Sequence, residues 1–363
     1  MKKIFIAATQ QNDGKTTVAL GLIFNFQKTL KHIGFIKPVG QRYLEENGFK
    51  IDEDSILIED TLKLCNIKCK LKDMSPIAVE KGFTEDYINK PNPQIITRQI
   101  KEAFGRISKN KDLVIIEGTG HAGVGSVFDH SNARVAKVLG AKVILVSSGG
   151  IGRPIDEIAL NKTLFEKEGV KLLGVVINKV MPEKFDKINR LVSAGLKRKG
   201  IEVLGAIPYN PMLSYPTVRQ IREETNFKLL SEKNEPALDN CVARIVIGAM
   251  HSREAAKYIV GQSLIITPGD REDIIKVILE SHARGSKISG IVLTGNLLPS
   301  QETISLLKDN SIPLLLSDTD TYVTASIIHD LNVKIRPADK EKIETVKKMI
   351  QNYLNLDMIM QRM

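Results

Sequence analysis

Short runs of β-branched and aliphatic residues alternate along the chain with longer segments in which apolar positions recur at the helical period. Residues 3–8, 34–39, 113–117, 142–147, 172–177 and 203–207 are almost continuously apolar and are bounded by Gly, Asn or Pro, the pattern of strands buried on both faces. Amphipathic segments lie between them at 15–30, 94–107, 155–168 and 184–199. This alternation predicts an α/β fold whose parallel sheet is covered by helices on both faces.

Periodicity lapses across residues 226–240, which are polar and contain Pro236, so a domain boundary is expected there. Beyond it, strands are predicted at 244–248, 263–267, 290–294 and 313–317, and helices at 253–260, 270–281, 301–310, 321–331 and 340–354. The expected organisation is a first domain over 1–225, a linker over 226–240 and a smaller α/β domain over 241–363. The closing Met-Ile-Met-Gln-Arg-Met is expected to fray. A length of 363 residues fits two such units.

Composition narrows the function classes. With 42% apolar and 26% charged residues the chain can bury large cores, and no apolar run is long enough to span a bilayer. No secretory segment is recognisable, because Asn12, Asp13 and Lys15 interrupt the first apolar run. The three cysteines form no disulfide framework, so a reducing cytoplasm is expected. The net charge of +10 is scattered among acids, and there is no Trp for base stacking. A polyanionic small molecule is therefore a better partner than nucleic acid.

The chemistry concentrates after the first strand, in Ala8-Thr9-Gln10-Gln11-Asn12-Asp13-Gly14-Lys15-Thr16-Thr17. A loop entering a helix N-terminus presents backbone N–H groups and the positive dipole end to phosphate oxygens. Gly14 permits close approach, Lys15 reaches the β- and γ-phosphates, and the Thr16 hydroxyl is placed for Mg²⁺. The strict phosphate-loop pattern fails at Thr9, which stands where its first glycine belongs. Glu117 ends a strand and faces the same crevice, as a Mg²⁺ ligand would. Asp54 is a second candidate ligand, although Asp52, Glu53 and Asp54 cannot be ordered by sequence. Lys37, held by Pro38 at a strand end, is placed to neutralise charge on a transferring phosphoryl group. Asn178 is a candidate adenine contact, and Met181 stands where a guanine reader would carry Asp.

Together the stretches Ala8…Gly14-Lys15-Thr16, Phe35-Ile36-Lys37-Pro38-Val39, Val114-Ile115-Ile116-Glu117-Gly118 and Val175-Val176-Ile177-Asn178 resemble the dethiobiotin synthetase-like branch of P-loop proteins. The resemblance implies ATP and Mg²⁺ as cofactors. It implies Lys15 and Lys37 as catalytic groups, and Asn12, Asp13, Gly14, Lys15, Thr16, Thr17, Asn178 and Pro208 along the nucleotide. Thr16, Asp54 and Glu117 would hold the metal. Further on, Thr267-Pro268-Gly269-Asp270-Arg271-Glu272-Asp273 and Gly290-Ile291-Val292-Leu293-Thr294-Gly295-Asn296 look like a DRTGG domain, with Asn296 in place of the final glycine. This order is similar to the N-terminal regulatory region of long-form phosphate acetyltransferases. The chain ends where their acetyl-transferring domain would begin, so acetyl transfer is not implied.

Gln10-Gln11-Asn12-Asp13 and Gln41 depart from the synthetase's substrate half-site, so dethiobiotin synthesis is not expected. The function expected is a nucleotide or metabolite sensor, or regulatory ATPase, taking a nucleotide and a small anionic metabolite. The resemblance further implies a homodimer and leaves room for an acyl-transfer enzyme as partner. The alternative is a ligase-type enzyme that phosphorylates a carboxylate or carbamate. Cys65 and Cys69, spaced by four, are expected to be reduced thiols rather than metal ligands. His121 and His130 flank the loop after Glu117 and are minor candidates for a phosphate contact. Asp270 with Arg271 is expected to form an internal ion pair or cap, and Arg219 either to reach a phosphate or to cover a sheet edge.

Overall fold

A computed structural model describes residues 1–64, 69–230, 232–331 and 333–363. Six strands, β1 (Lys2–Ala8), β2 (Ile33–Ile36), β3 (Leu113–Glu117), β4 (Lys142–Ser148), β5 (Leu172–Val180) and β6 (Val203–Pro208), form one sheet in the order β6-β5-β4-β1-β3-β2. Every pairing in it is parallel. The continuous apolar runs are the reason: strands such as β1 and β3 have both faces covered, and Ile4, Phe5, Ile6 and Val114 to Ile116 are fully buried. From β1 the chain passes to one side of the sheet, to β2, and later resumes on the other side at β4. The connections therefore diverge at the carboxyl end of β1, where open α/β sheets leave a ligand crevice.

The covering helices include α1 (Lys15–Phe26), α2 (Glu53–Leu64), α3 (Pro93–Ser108), α4 (Asn132–Leu139), α5 (Gly152–Lys167) and α6 (Phe185–Lys197). Their starts are legible: Asn92 caps α3 through Ile95 N–H ahead of a first-turn proline, and Ser131 caps α4 through Arg134 N–H. α1 ends four residues before the predicted boundary. Ahead of α2 stands an antiparallel hairpin, Tyr43–Glu46 with Phe49–Asp52, which periodicity did not reveal.

The chain divides into two compact units, 1–210 with 335–363 and 211–334. This differs from the expected boundaries at both ends. The described residues of 226–240 are not a linker. Phe227 and Leu238 are buried with Val218 and Ile221 of α7 (Val218–Thr225) in one core, so their burial outweighs the polar residues around them. The second unit carries β7 (Lys228–Leu229), β8 (Arg244–Ile247), β9 (Ser263–Pro268), β10 (Ile288–Thr294) and β11 (Leu314–Leu316) in the order β7-β11-β10-β9-β8, with only β7 antiparallel. Helices α8 (Glu272–Ala283), α9 (Gln301–Asp309) and α10 (Thr321–His329) pack on it. The helix expected at 253–260 is a single turn, Ser252–Ala255.

The last two helices, α11 (Lys340–Tyr353) and α12 (Leu356–Arg362), belong to the first unit rather than the second. Ile350 is fully buried against Gly21 of α1, whose added Cβ would stand 2.1 Å from Ile350 Cγ1. Asn25 Nδ2 donates to Lys347 O, and Asn355 N–H to Leu204 O on β6. The terminus does not fray: Ile359 is buried, Lys2 Nζ reaches Met360 O at 2.9 Å, and Arg362 pairs with Glu202. No described helix is long and apolar enough to cross a membrane.

A candidate phosphate and cation site at the carboxyl end of the parallel sheet

Residues 9–14 link β1 to α1 and are held from within by Asp13. Its carboxylate accepts from Thr9 Oγ1 and from Gln10 N–H, each at 2.8 Å, and Thr9 Oγ1 also lies 3.0 Å from Ser147 Oγ. Thr9 thus serves as a brace at the position where the strict pattern has glycine. Burial pushes the Asp13 carboxyl up, and the Thr9 and Gln10 bonds oppose that. Asn12 and Gly14 both adopt left-handed backbone, at φ +64° and +99°. At Gly14 only glycine fits, because an added Cβ would stand 2.1 Å from Asn178 Nδ2.

The first intrahelical bond of α1 runs from Val18 N–H to Gly14 O. The N–H groups of residues 14–17 therefore have no acceptor inside the helix, as at any helix start. Lys15 is half-buried beside them, and burial lowers its ammonium while Glu117 opposes that shift. Thr17 is half-buried in the same first turn. Thr16 Oγ1 donates to Glu117 Oε1 at 2.8 Å. Glu117 is 1% exposed, and its second oxygen, Oε2, is buried without a hydrogen-bond partner. Burial first, then the Asp54 charge, lifts its carboxyl to about 7.

Lys37 is 5% exposed and lies among acids. Its ammonium is 2.8 Å from Asp52 Oδ1 and 3.8 Å from Glu117 Oε1, and it donates to Asp54 Oδ2. Those carboxylates hold it charged against the cost of burial. Asp54 N–H donates to Asp52 Oδ1 at 3.0 Å, which ties the acid that ends the hairpin to the one in the first turn of α2. The structure therefore brings together Lys15, Thr16, Lys37, Asp54 and Glu117. It adds Asp52, which the sequence could not separate from its neighbours. Among the described residues no three Asp, Glu, His or Cys groups stand ready to hold a metal by themselves. Thr16 and the orphaned Glu117 oxygen offer hard oxygen donors of the kind a small divalent cation takes, with the remainder left to ligand and water.

Asn178 lies two residues before the end of β5, and Pro208 ends the neighbouring β6. Asn178 is buried, and its Nδ2 donates to Asp13 O at 2.7 Å. Lys179 Nζ donates to Asn12 O at 2.7 Å. Sequence reading also missed Asn132. Its side chain accepts from Thr119 N–H and donates to Thr119 O and His121 O, which fixes the loop after Glu117. The Ser-Asn helix start was the available signal.

The minor candidates separate. His130 is 2% exposed, with its ring nitrogens on Phe128 O and Thr97 Oγ1, so it braces structure and cannot face a ligand. His121 is exposed and accepts from Gly123 N–H. Gln41 is exposed beside Gln11, 3.5 Å between their side chains. Arg219 pairs with Asp239 and Glu235 inside the second unit. Arg271 pairs with Asp273 instead of Asp270, and its guanidinium also holds Met250 O. Asn296 takes φ +53°, the left-handed conformation that a glycine would supply at that position and that Asn tolerates. Cys65 lies outside the described residues, and Cys69 is half-buried.

Comparison with known proteins agrees with this architecture. Residues 2–217 match the AAA domain family and residues 220–331 the DRTGG domain. The phosphate acetyltransferase of Pseudomonas putida is 26% identical across 100% of this chain and 52% of its own length. That of Synechocystis sp. is 28% identical across 94% of this chain and 48% of its own. The chain spans about half the length of these curated relatives. Among solved structures, the septum site-determining protein MinD complexed with Mg-ADP from Pyrococcus horikoshii is 16% identical, covering 59% of this chain and 83% of that one at a TM-score of 0.36. The matched residues, the full-length alignment with half of each relative and the parallel sheet with its phosphate-type loop agree. The chain belongs to the AAA domain family, here joined to a DRTGG domain in the order found in the N-terminal regulatory region of phosphate acetyltransferases.

Proposed function

We propose that the first unit binds ATP with Mg²⁺ and that the chain works as a nucleotide-responsive regulatory module. The observation that carries this reading is the buried Glu117 carboxylate, one oxygen on Thr16 and the other without a partner, beside Lys15 at the start of α1. Asn12, Asp13, Gly14, Lys15, Thr16 and Thr17 would cradle the phosphates, with Asn178 and Pro208 toward the base. Thr16, Glu117 and Asp54 would share the cation, which when bound draws charge from the phosphate oxygens. Lys15 would follow the β- and γ-phosphates as a point charge. A homodimer and an acyl-transfer partner, in the cytoplasm, are part of the same reading.

Calorimetric titration of the full chain with ATP and Mg²⁺ tests it. Micromolar binding that is lost in Lys15→Ala and is weaker for GTP is expected. No heat and no thermal shift would overturn it.

Lys37 supports a second reading. Binding alone has no need of a buried cation among three carboxylates, whereas transfer of a phosphoryl group to a carboxylate or carbamate does need charge beside the reacting oxygens. Stoichiometric ATP consumption tied to one anionic metabolite, lost in Lys37→Ala, would select the ligase-type enzyme over the sensor.

A further inference from the structure

The loop between β1 and α1 contains two consecutive carbonyls tied to the end of β5: Asn12 O to Lys179 Nζ and Asp13 O to Asn178 Nδ2, each at 2.7 Å. Lys179 is exposed, yet its backbone turns into the left-handed region at φ +56° directly after the buried Asn178. That turn is packed from behind by Gly149, whose added Cβ would stand 2.8 Å from Lys179 O. In a planar trans peptide the C=O and the following N–H point in opposite directions. Fixing the Asn12 and Asp13 carbonyls toward β5 therefore turns the Asp13 and Gly14 N–H groups away from it, as successive amides do in an anion-binding nest. The left-handed Asn12 and Gly14 need such restraint, because neither conformation is held by a regular ladder.

We propose that Lys179, acting with Asn178, is the latch of the phosphate loop: a positioning residue that sets the loop's affinity for phosphate oxygens through the Asn12 carbonyl, without reading the base. This rests on the nucleotide-binding reading above. The base-independent part of the affinity then resides partly in a lysine that touches loop backbone.

The test compares the full chain with Lys179→Met and Lys179→Arg, titrated with ATP, GTP and inorganic tripolyphosphate, each with Mg²⁺. Losing one charge-assisted hydrogen bond should weaken all three ligands in Lys179→Met by the same factor, about tenfold. Arg should restore most of it. Amide exchange of residues 10–15 should quicken in the unliganded Met variant while its thermal midpoint stays that of the parent, since the side chain is exposed. Loss for ATP and GTP but not for tripolyphosphate would make Lys179 a base or ribose contact and overturn the latch. Equal weakening with unchanged loop exchange would reduce it to a through-space charge and overturn it as well. Unchanged affinities would overturn it outright. If the parent chain binds none of the three, the nucleotide reading falls first and the latch with it.

Discussion

Lys37 Nζ lies 2.8 Å from Asp52 Oδ1, and both residues are almost fully buried. Asp52 is thereby a counter-ion of Lys37 together with Asp54, to which the same ammonium donates, while Glu117 Oε1 lies 3.8 Å away. Removing the cation strands three carboxylates in a low-dielectric site, so Lys37→Met should lower unfolding stability at neutral pH by about 3 kcal/mol. Lys37→Met combined with Asp52→Asn should lose less than Lys37→Met alone. A double-mutant cycle by denaturant unfolding measures that coupling, and additivity of the two changes would refute it.

Glu117 predicts a pH dependence of stability. Its carboxyl is lifted from the ordinary 4.5 to about 7, by burial first and Asp54 next. Between those values the folded chain keeps a proton that the unfolded chain has released. This contribution to stability is therefore complete below 4.5 and is lost as pH rises through 7. Thermal midpoints of the unliganded chain and Glu117→Gln, measured across that window, should diverge in slope, with the variant the flatter. Parallel curves would place the ionisation elsewhere.

Gly14→Ala should abolish binding of Mg²⁺ with ATP. The alanine would have to hold φ +99° with its methyl 2.1 Å from Asn178 Nδ2, so either the loop or Asn178 moves. Strain of this kind costs about 1–3 kcal/mol, which the sheet tolerates while the loop geometry does not. Titration shows the loss, and circular dichroism should show the fold retained.

The partition of the chain also has a measurable consequence. Ile350 lies fully buried on Gly21 of the loop-bearing helix α1. Ile350→Ala should destabilise by about 2–4 kcal/mol and quicken amide exchange in α1. Faster exchange confined to 211–334 would mean that α11 serves the other unit.

The features legible from residue order alone are local. The six strands of the first sheet follow from apolar runs that can only be buried on both faces. The helix starts at 93 and 132 follow from Asn92 and Ser131. The loop follows from Gly14, Lys15 and Thr16 standing between a strand and a helix. Lys37 and Glu117 were legible because strand ends in an open parallel sheet face one crevice.

The remaining features are set by contacts between residues far apart in the chain. Thr16 meets Glu117 across 101 positions and Asn178 meets the loop across 165. No local pattern encodes such pairings. That both Asp52 and Asp54 meet Lys37 depends on how the hairpin ahead of α2 delivers them. The segment 226–240 reads as a linker by composition, yet two of its apolar side chains, Phe227 and Leu238, are buried in a core. The amphipathic segment 340–354 was recognisable as a helix, but its apolar stripe fits any apolar surface. The packing of Ile350 on Gly21 of α1, with the bonds from Asn25 to Lys347 O and from Asn355 to Leu204 O, assigns it to the phosphate-loop unit.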